Sequence, residues 1–187
     1  MKKIKSFLLM SVLALVATTG LKAQMEKTVM VGGAAMYPSK NIVQNAVNSK
    51  DHTTLVAAVK AAGLVETLES AGPFTVFAPT NAAFNKLPAG TAETLLKPEN
   101  KTMLQTVLTY HVIAGKMSAA DLMKKIKAGG GKATMKTVAG STLTFTMKGK
   151  KIWIMDTSGG KAFVTIADVN QSNGVIHVIN GVLVPKS

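Results

Sequence analysis

Hydrophobic spacing changes character half-way along this chain. In the first half, apolar residues recur at helical intervals. Residues 41–47 predict a short helix behind a Ser39 cap. A second helix opens on Asp51 as its N-cap, carries Leu55, Val56 and Val59 on one stripe, and stops at Gly63. Residues 64–68 predict a further short helix, and residues 91–96 and 102–110 two more, divided by Pro98. In the last of these, Leu104, Val107, Leu108 and His111 keep the i, i+3, i+4, i+7 rhythm of a buried stripe. Ser118 caps another helix, which runs through Lys124, Lys125 and Lys127 to a stop at Gly129-Gly130-Gly131.

The second half alternates. Leu143, Phe145 and Met147 share one face of a strand over 142–147. Lys148-Gly149-Lys150 turns the chain, and 152–155 returns it. Residues 162–166 predict another strand, and 175–179 a central one, apolar on both faces apart from His177. Asn180-Gly181 reads as a type I′ hairpin turn leading to a last strand at 182–184. One strand falls early, at 74–78 between Pro73 and Pro79, with Phe74 and Val76 on one face and Thr75 and Phe77 on the other. Thr80 or Asn81 caps the helical turn after it. Helices first and mainly antiparallel strands later define an α+β domain.

The ends change the picture. Lys2, Lys3 and Lys5, an apolar run over 7–17 and a small residue at Ala23 make residues 1–23 a secretory signal peptide. That run is shorter than the roughly 20 residues a membrane span needs. Residues 24–38 are a weakly patterned lead-in, broken by Gly32-Gly33 and Pro38. The 164 residues left after cleavage are enough for one domain with a sizeable core. There is no cysteine, so disulfides and thiol chemistry are excluded. The net charge is +13, and every basic residue is lysine. Such a surface favours anionic partners such as acidic polysaccharide. Without arginine, and with few aromatics, specific nucleic-acid binding is not expected.

Candidate chemistry is thin. His52 stands beside a predicted helix start, where a solvated role is expected; His177 lies in an apolar strand as a core histidine. No nucleophile elbow accompanies them. Asp156 and Asp168 lie in predicted loops without a partner carboxylate, which gives no glycosidase pair, and no ligand set for a metal is spaced along the chain. Gly129-Gly130-Gly131-Lys132 follows a helix and precedes a strand, the reverse of a phosphate loop. No catalytic residue, metal or cofactor is therefore expected. Two lysine clusters, one at Lys124, Lys125, Lys127, Lys132 and Lys136 and one at Lys148, Lys150 and Lys151, are either solvated faces or contacts for an anionic polymer.

Two segments carry a resemblance. Residues 74–84 and 174–185, with the Tyr110-His111 pair between them, resemble the two signature stretches and the Tyr-His motif of the fasciclin (FAS1) family. The resemblance spans about 39–187 in a single copy. It implies a wedge-shaped β-sandwich with helices packed along its edge, and an exported adhesion module that binds extracellular protein, matrix or polysaccharide. By position it assigns Phe77, Pro79, Thr80, Asn81 and Phe84 to the first motif and Gly174, His177 and Pro185 to the second, all as structural residues. Tyr110 and His111 become candidate partner contacts, or anchors of a helix on the sheet. The residues also leave open a small hydrolase using His111 or His177 and a structural envelope protein with no specific ligand.

Overall fold

The computed structural model describes residues 27–186, so the expected signal peptide lies outside the described residues. The lead-in contains order the sequence pattern did not show. β1 (Val29–Val31) and β2 (Ala34–Met36) pair antiparallel around Gly32 and Gly33, both with positive φ. Helix α1 (Ile42–Ala46) is capped by Asn41, not Ser39: Asn41 Oδ1 accepts from the Gln44 N–H at 2.8 Å, and Gln44 Oε1 accepts from the Asn41 N–H at 3.0 Å.

Asp51 does not cap the next helix. It falls in a 3-10 turn over Lys50–His52, and α2 (Thr53–Ala62) begins after it. The cap comes from 27 residues away. Asn81 Oδ1 accepts the Thr54 N–H at 3.0 Å, while its amide donates to the Lys50 carbonyl at 2.8 Å and to Thr53 Oγ1 at 2.9 Å. Gly63, with φ 70°, ends α2 as expected, and α3 (Val65–Glu69) follows.

β3 (Phe74–Pro79) leads into α4 (Asn81–Phe84), whose cap is Thr80. Then come α5 (Thr91–Leu95), a 3-10 turn at Pro98–Asn100, α6 (Lys101–Tyr110), β4 (Val112–Ala114) and α7 (Ala119–Ala128). Ser118 caps α7 in a capping box with Asp121, whose hydrogen bonds from Ser118 hold its carboxyl below the usual range. The remaining strands are β5 (Lys132–Lys136), β6 (Thr142–Lys148), β7 (Lys151–Met155), β8 (Lys161–Gln171) and β9 (Gly174–Ile179).

Seven strands form one mixed sheet in the order β4-β3-β9-β8-β7-β6-β5. Every neighbouring pair is antiparallel except β3 and β9, which run parallel from Phe74 beside Gly174 to Pro79 beside Ile179. The two signature stretches are therefore adjacent strands. The sheet curls until its ends nearly meet, and the Val138 N–H, just past β5, donates to the Val112 carbonyl of β4 at 2.8 Å. The α+β class and the expected fold hold. The strands of the sandwich belong to this single, almost barrel-like sheet.

Inside the curl, Phe77, Phe145, Ile154 and Ile179 pack with Leu122 and Ile126 of α7. On the other face of β3 and β9, Val76, Ala78, Ile176 and Val178 pack against the β1–β2 hairpin and α1. α2, α5 and α6 share a third cluster.

The Asn180-Gly181 hairpin does not form. Neither residue has positive φ, and both edges of β9 are already taken by β3 and β8. Asn180 instead continues towards β8, its side-chain oxygen accepting the Phe163 N–H at 2.8 Å. The tail beyond is irregular and anchored by fully buried Leu183.

Candidate functional site

Tyr110 ends α6 and is wholly buried. Its hydroxyl donates to the Thr142 carbonyl at 2.7 Å and accepts the Thr157 N–H at 3.1 Å, tying α6 to the start of β6 and to the turn after β7. His111 is also buried. Its Nδ1–H donates to the Val107 carbonyl at 2.7 Å, and its Nε2 accepts the Leu183 N–H at 3.0 Å. Those partners fix one neutral tautomer. Burial desolvates the charged form and lowers its pKa to about 4, despite the opposing Val107 carbonyl.

His177 follows the same logic. Its Nδ1 accepts the Asp168 N–H at 3.2 Å and its Nε2–H donates to the Met117 carbonyl at 2.9 Å. The ring stacks on Phe77 with centroids 5.6 Å apart, and burial lowers its pKa. Asp168 turns its carboxylate away, to the Ala119 N–H at the start of α7 (2.7 Å), from a bulged position within β8 rather than from a loop. Asp156 is consumed by the N–H groups of Ser158, Gly160 and Val184. Neither His111 nor His177 faces a carboxylate and a hydroxyl across an open cleft, the geometry a hydrolytic triad requires.

His52 departs from the solvated role expected of it. It is 1% exposed, because the β1–β2 hairpin closes over the turn that carries it, with Lys50 donating its N–H to the Gly32 carbonyl at 3.1 Å. Nδ1 pairs with Ser49 Oγ at 2.9 Å, while Nε2 has no hydrogen-bond partner. The nearby Ala78 carbonyl stands outside bonding geometry, and desolvation lowers the ring's pKa. His52 borders a cavity of about 70 Å³ whose walls, including Leu55, Val59, Leu68, Val76 and Ile176, are almost entirely hydrocarbon. Among the described residues no group of three or more His, Asp or Glu is placed to hold a metal ion.

Lys124, Lys125 and Lys127 project from the exposed side of α7, opposite Leu122 and Ile126. They do not meet Tyr110 and His111, which lie inside. A second lysine-bearing surface covers the outer side of the sheet, where Lys148 and Lys151 stand beside Trp153 and Phe163. Sequence reasoning grouped these lysines but passed over the two aromatics. They become neighbours only once β7 and β8 are paired.

A family model described as Fasciclin domain matches residues 50–185. The chain belongs to the fasciclin family. Protein sll1483 of Synechocystis is 49% identical over 160 residues, covering 86% of this chain and 82% of that protein. Immunogenic protein MPT70 of Mycobacterium tuberculosis is 38% identical over 147 residues, covering 76% of this chain and 67% of that protein. A solved FAS1 domain pair from the insect cell adhesion molecule Fasciclin I superposes with a TM-score of 0.69 at 17% identity, over 85% of this chain and 58% of that one.

The fasciclin motifs can now be given physical roles. Phe77 and Pro79 are buried in β3, Phe84 is buried in α4, Thr80 caps α4 and Asn81 caps α2. Gly174 lies so close to β3 that a Cβ there would fall 2.1 Å from the Phe74 carbonyl oxygen. Pro185 is half-buried in the terminal tail. These residues weld two strands and two helices together.

Proposed function

We propose that this fasciclin chain is an exported, non-catalytic adhesion module that binds an extracellular protein or an acidic polysaccharide through its outer surface. The observation that carries this reading is the burial of Tyr110 and all three histidines. Their polar atoms point into the fold, while the lysines of α7 and of the sheet are left exposed to a partner. The similarity to a cell adhesion molecule supports the class. The lysine-flanked apolar run at the N-terminus supports export. Among the described residues no helix is long and apolar enough to cross a membrane.

Lysine charge steers encounters with an anionic partner, and that contribution fades with salt because exposed charges are screened within about 10 Å at 0.1 M. The test expresses the full chain and measures two things: the mass of the protein outside the cytoplasm, and its retention on immobilised alginate against immobilised dextran. Loss of about the first 23 residues together with salt-sensitive retention on alginate supports the reading. An intact N-terminus inside the cell, or equal retention on both matrices, overturns it.

A further inference from the structure

Among the described residues, the outward side of β5 to β8 carries lysines as its exposed charges. In each strand the alternate residues Ala133, Phe145, Ile154 and Ala162 turn into the core, so their neighbours turn out. Pairing then aligns Lys132, Thr146, Trp153 and Phe163 in one row across four strands. A flanking row ends in the Lys148–Lys151 pair, and another places Met155 beside Lys161. The two acids on or beside these strands, Asp168 in β8 and Asp156 after β7, both have their carboxylates bound by backbone N–H groups.

Two aromatic rings sit at the centre of this field. Trp153 and Phe163 have centroids 5.1 Å apart at 48°. Lys148 Nζ lies 5.7 Å from the Trp153 ring centroid, and Lys151 Nζ lies 4.2 Å from that of Phe163. Both rings are partly exposed, although a fully soluble sheet face would carry polar residues there.

We propose that this face is a binding site for an acidic polysaccharide. A pyranose ring is polar at its edge and apolar on its C–H face. That face matches the electron-rich surface of the Trp153–Phe163 pair, as the lysine ammoniums beside it already do. Carboxylate or sulfate groups of the same glycan meet Lys132, Lys148, Lys151 and Lys161, and the hydroxyls of Thr144 and Thr146, on the outward side of β6, supply hydrogen bonds between them. Lysine suits this task, since a flexible point charge follows an irregular anionic chain without the fixed fork of arginine. The assignment rests on the adhesion-module reading and locates it on the sheet rather than on α7.

The experiment compares dissociation constants for alginate oligomers, dextran sulfate, neutral dextran and a thymidine oligonucleotide. The proteins are the full chain, the double variant Lys148→Gln/Lys151→Gln, Trp153→Phe, Trp153→Ala and the α7 triple variant Lys124→Gln/Lys125→Gln/Lys127→Gln. Circular dichroism checks each fold, and the exposed lysine and conservative Trp153→Phe changes keep the test valid should Trp153→Ala not fold. Alginate and dextran sulfate separate carboxylate from sulfate recognition. Expected is roughly tenfold weaker binding of acidic glycan by the sheet-face lysine variant and by Trp153→Ala, a smaller loss for Trp153→Phe, which keeps an aromatic face, and little change for the α7 variant. If the α7 variant alone loses binding, the site assignment fails while the polysaccharide reading stands. If the unaltered chain binds no acidic glycan, both fail. Tighter binding of the oligonucleotide than of either acidic glycan also overturns the proposal, because the rings then serve as a base-stacking platform.

Discussion

Acidification from pH 7 to pH 5 is expected to cost the fold about 2 kcal/mol through His111 alone. An unfolded histidine titrates near 6.5, whereas buried His111 titrates at about 4 in the fold. Between those values the unfolded chain binds the proton and the native chain does not. Stability is therefore complete above the unfolded pKa and is lost as pH falls towards the folded one. At 1.36 kcal/mol per pKa unit, the 1.5 units between 6.5 and pH 5 give roughly 2 kcal/mol. His177 and His52 are also lowered by burial and act in the same direction. Ordinary carboxylates titrate below this window. Urea midpoints at pH 7, 6 and 5 measure the effect in the unaltered chain and in His111→Gln, which should lose about 2 kcal/mol less over the same interval. Equal pH slopes in the two proteins, or stability that rises on acidification, would show that His111 is not held neutral by burial.

Other expected outcomes concern the two signature stretches. Phe77→Ala removes a fully buried ring that packs on Phe145 at 5.2 Å and on His177, and should cost about 3–5 kcal/mol by urea unfolding. A cost below about 1 kcal/mol would mean that this stretch is not core. Asn81→Ala deletes a helix cap and two further hydrogen bonds, so a loss of roughly 2 kcal/mol is expected, with faster amide exchange at Thr54 as its local sign. Unchanged exchange at Thr54 would count against the long-range cap. Gly174→Ala places a methyl group against the Phe74 carbonyl and should prevent β3 from pairing with β9, read as loss of the folded dispersion of amide signals. A natively dispersed spectrum would contradict that close approach.

Much of this architecture was legible along the chain because it is local. The stripe of Leu104, Val107 and Leu108, the Ser118 cap and the alternation of Leu143 and Phe145 each depend on a few neighbouring residues. What escaped is non-local. The parallel pairing of β3 with β9 joins residues about a hundred positions apart, and it is this pairing that denies Asn180-Gly181 its hairpin. The cap of α2 comes from Asn81, so Asp51 looked like the better candidate in sequence. His52 looked solvated until the three-residue strands of β1 and β2 folded over it. The outer sheet face depends on register: Trp153 and Phe163 are ten residues apart in sequence and neighbours only across β7 and β8.

If the signature residues build the interior and recognition falls to the outer face, alginate affinity and melting temperature should separate when measured side by side for Tyr110→Phe and Lys148→Gln/Lys151→Gln. Tyr110→Phe removes a buried hydroxyl that bonds Thr142 and Thr157. It should lower the melting temperature by several degrees, for a loss of about 1–2 kcal/mol, and leave affinity unchanged. The lysine pair should do the reverse. Weakened binding in Tyr110→Phe, with full affinity retained by the lysine variant, would place recognition at the Tyr110 motif instead of on the outer face.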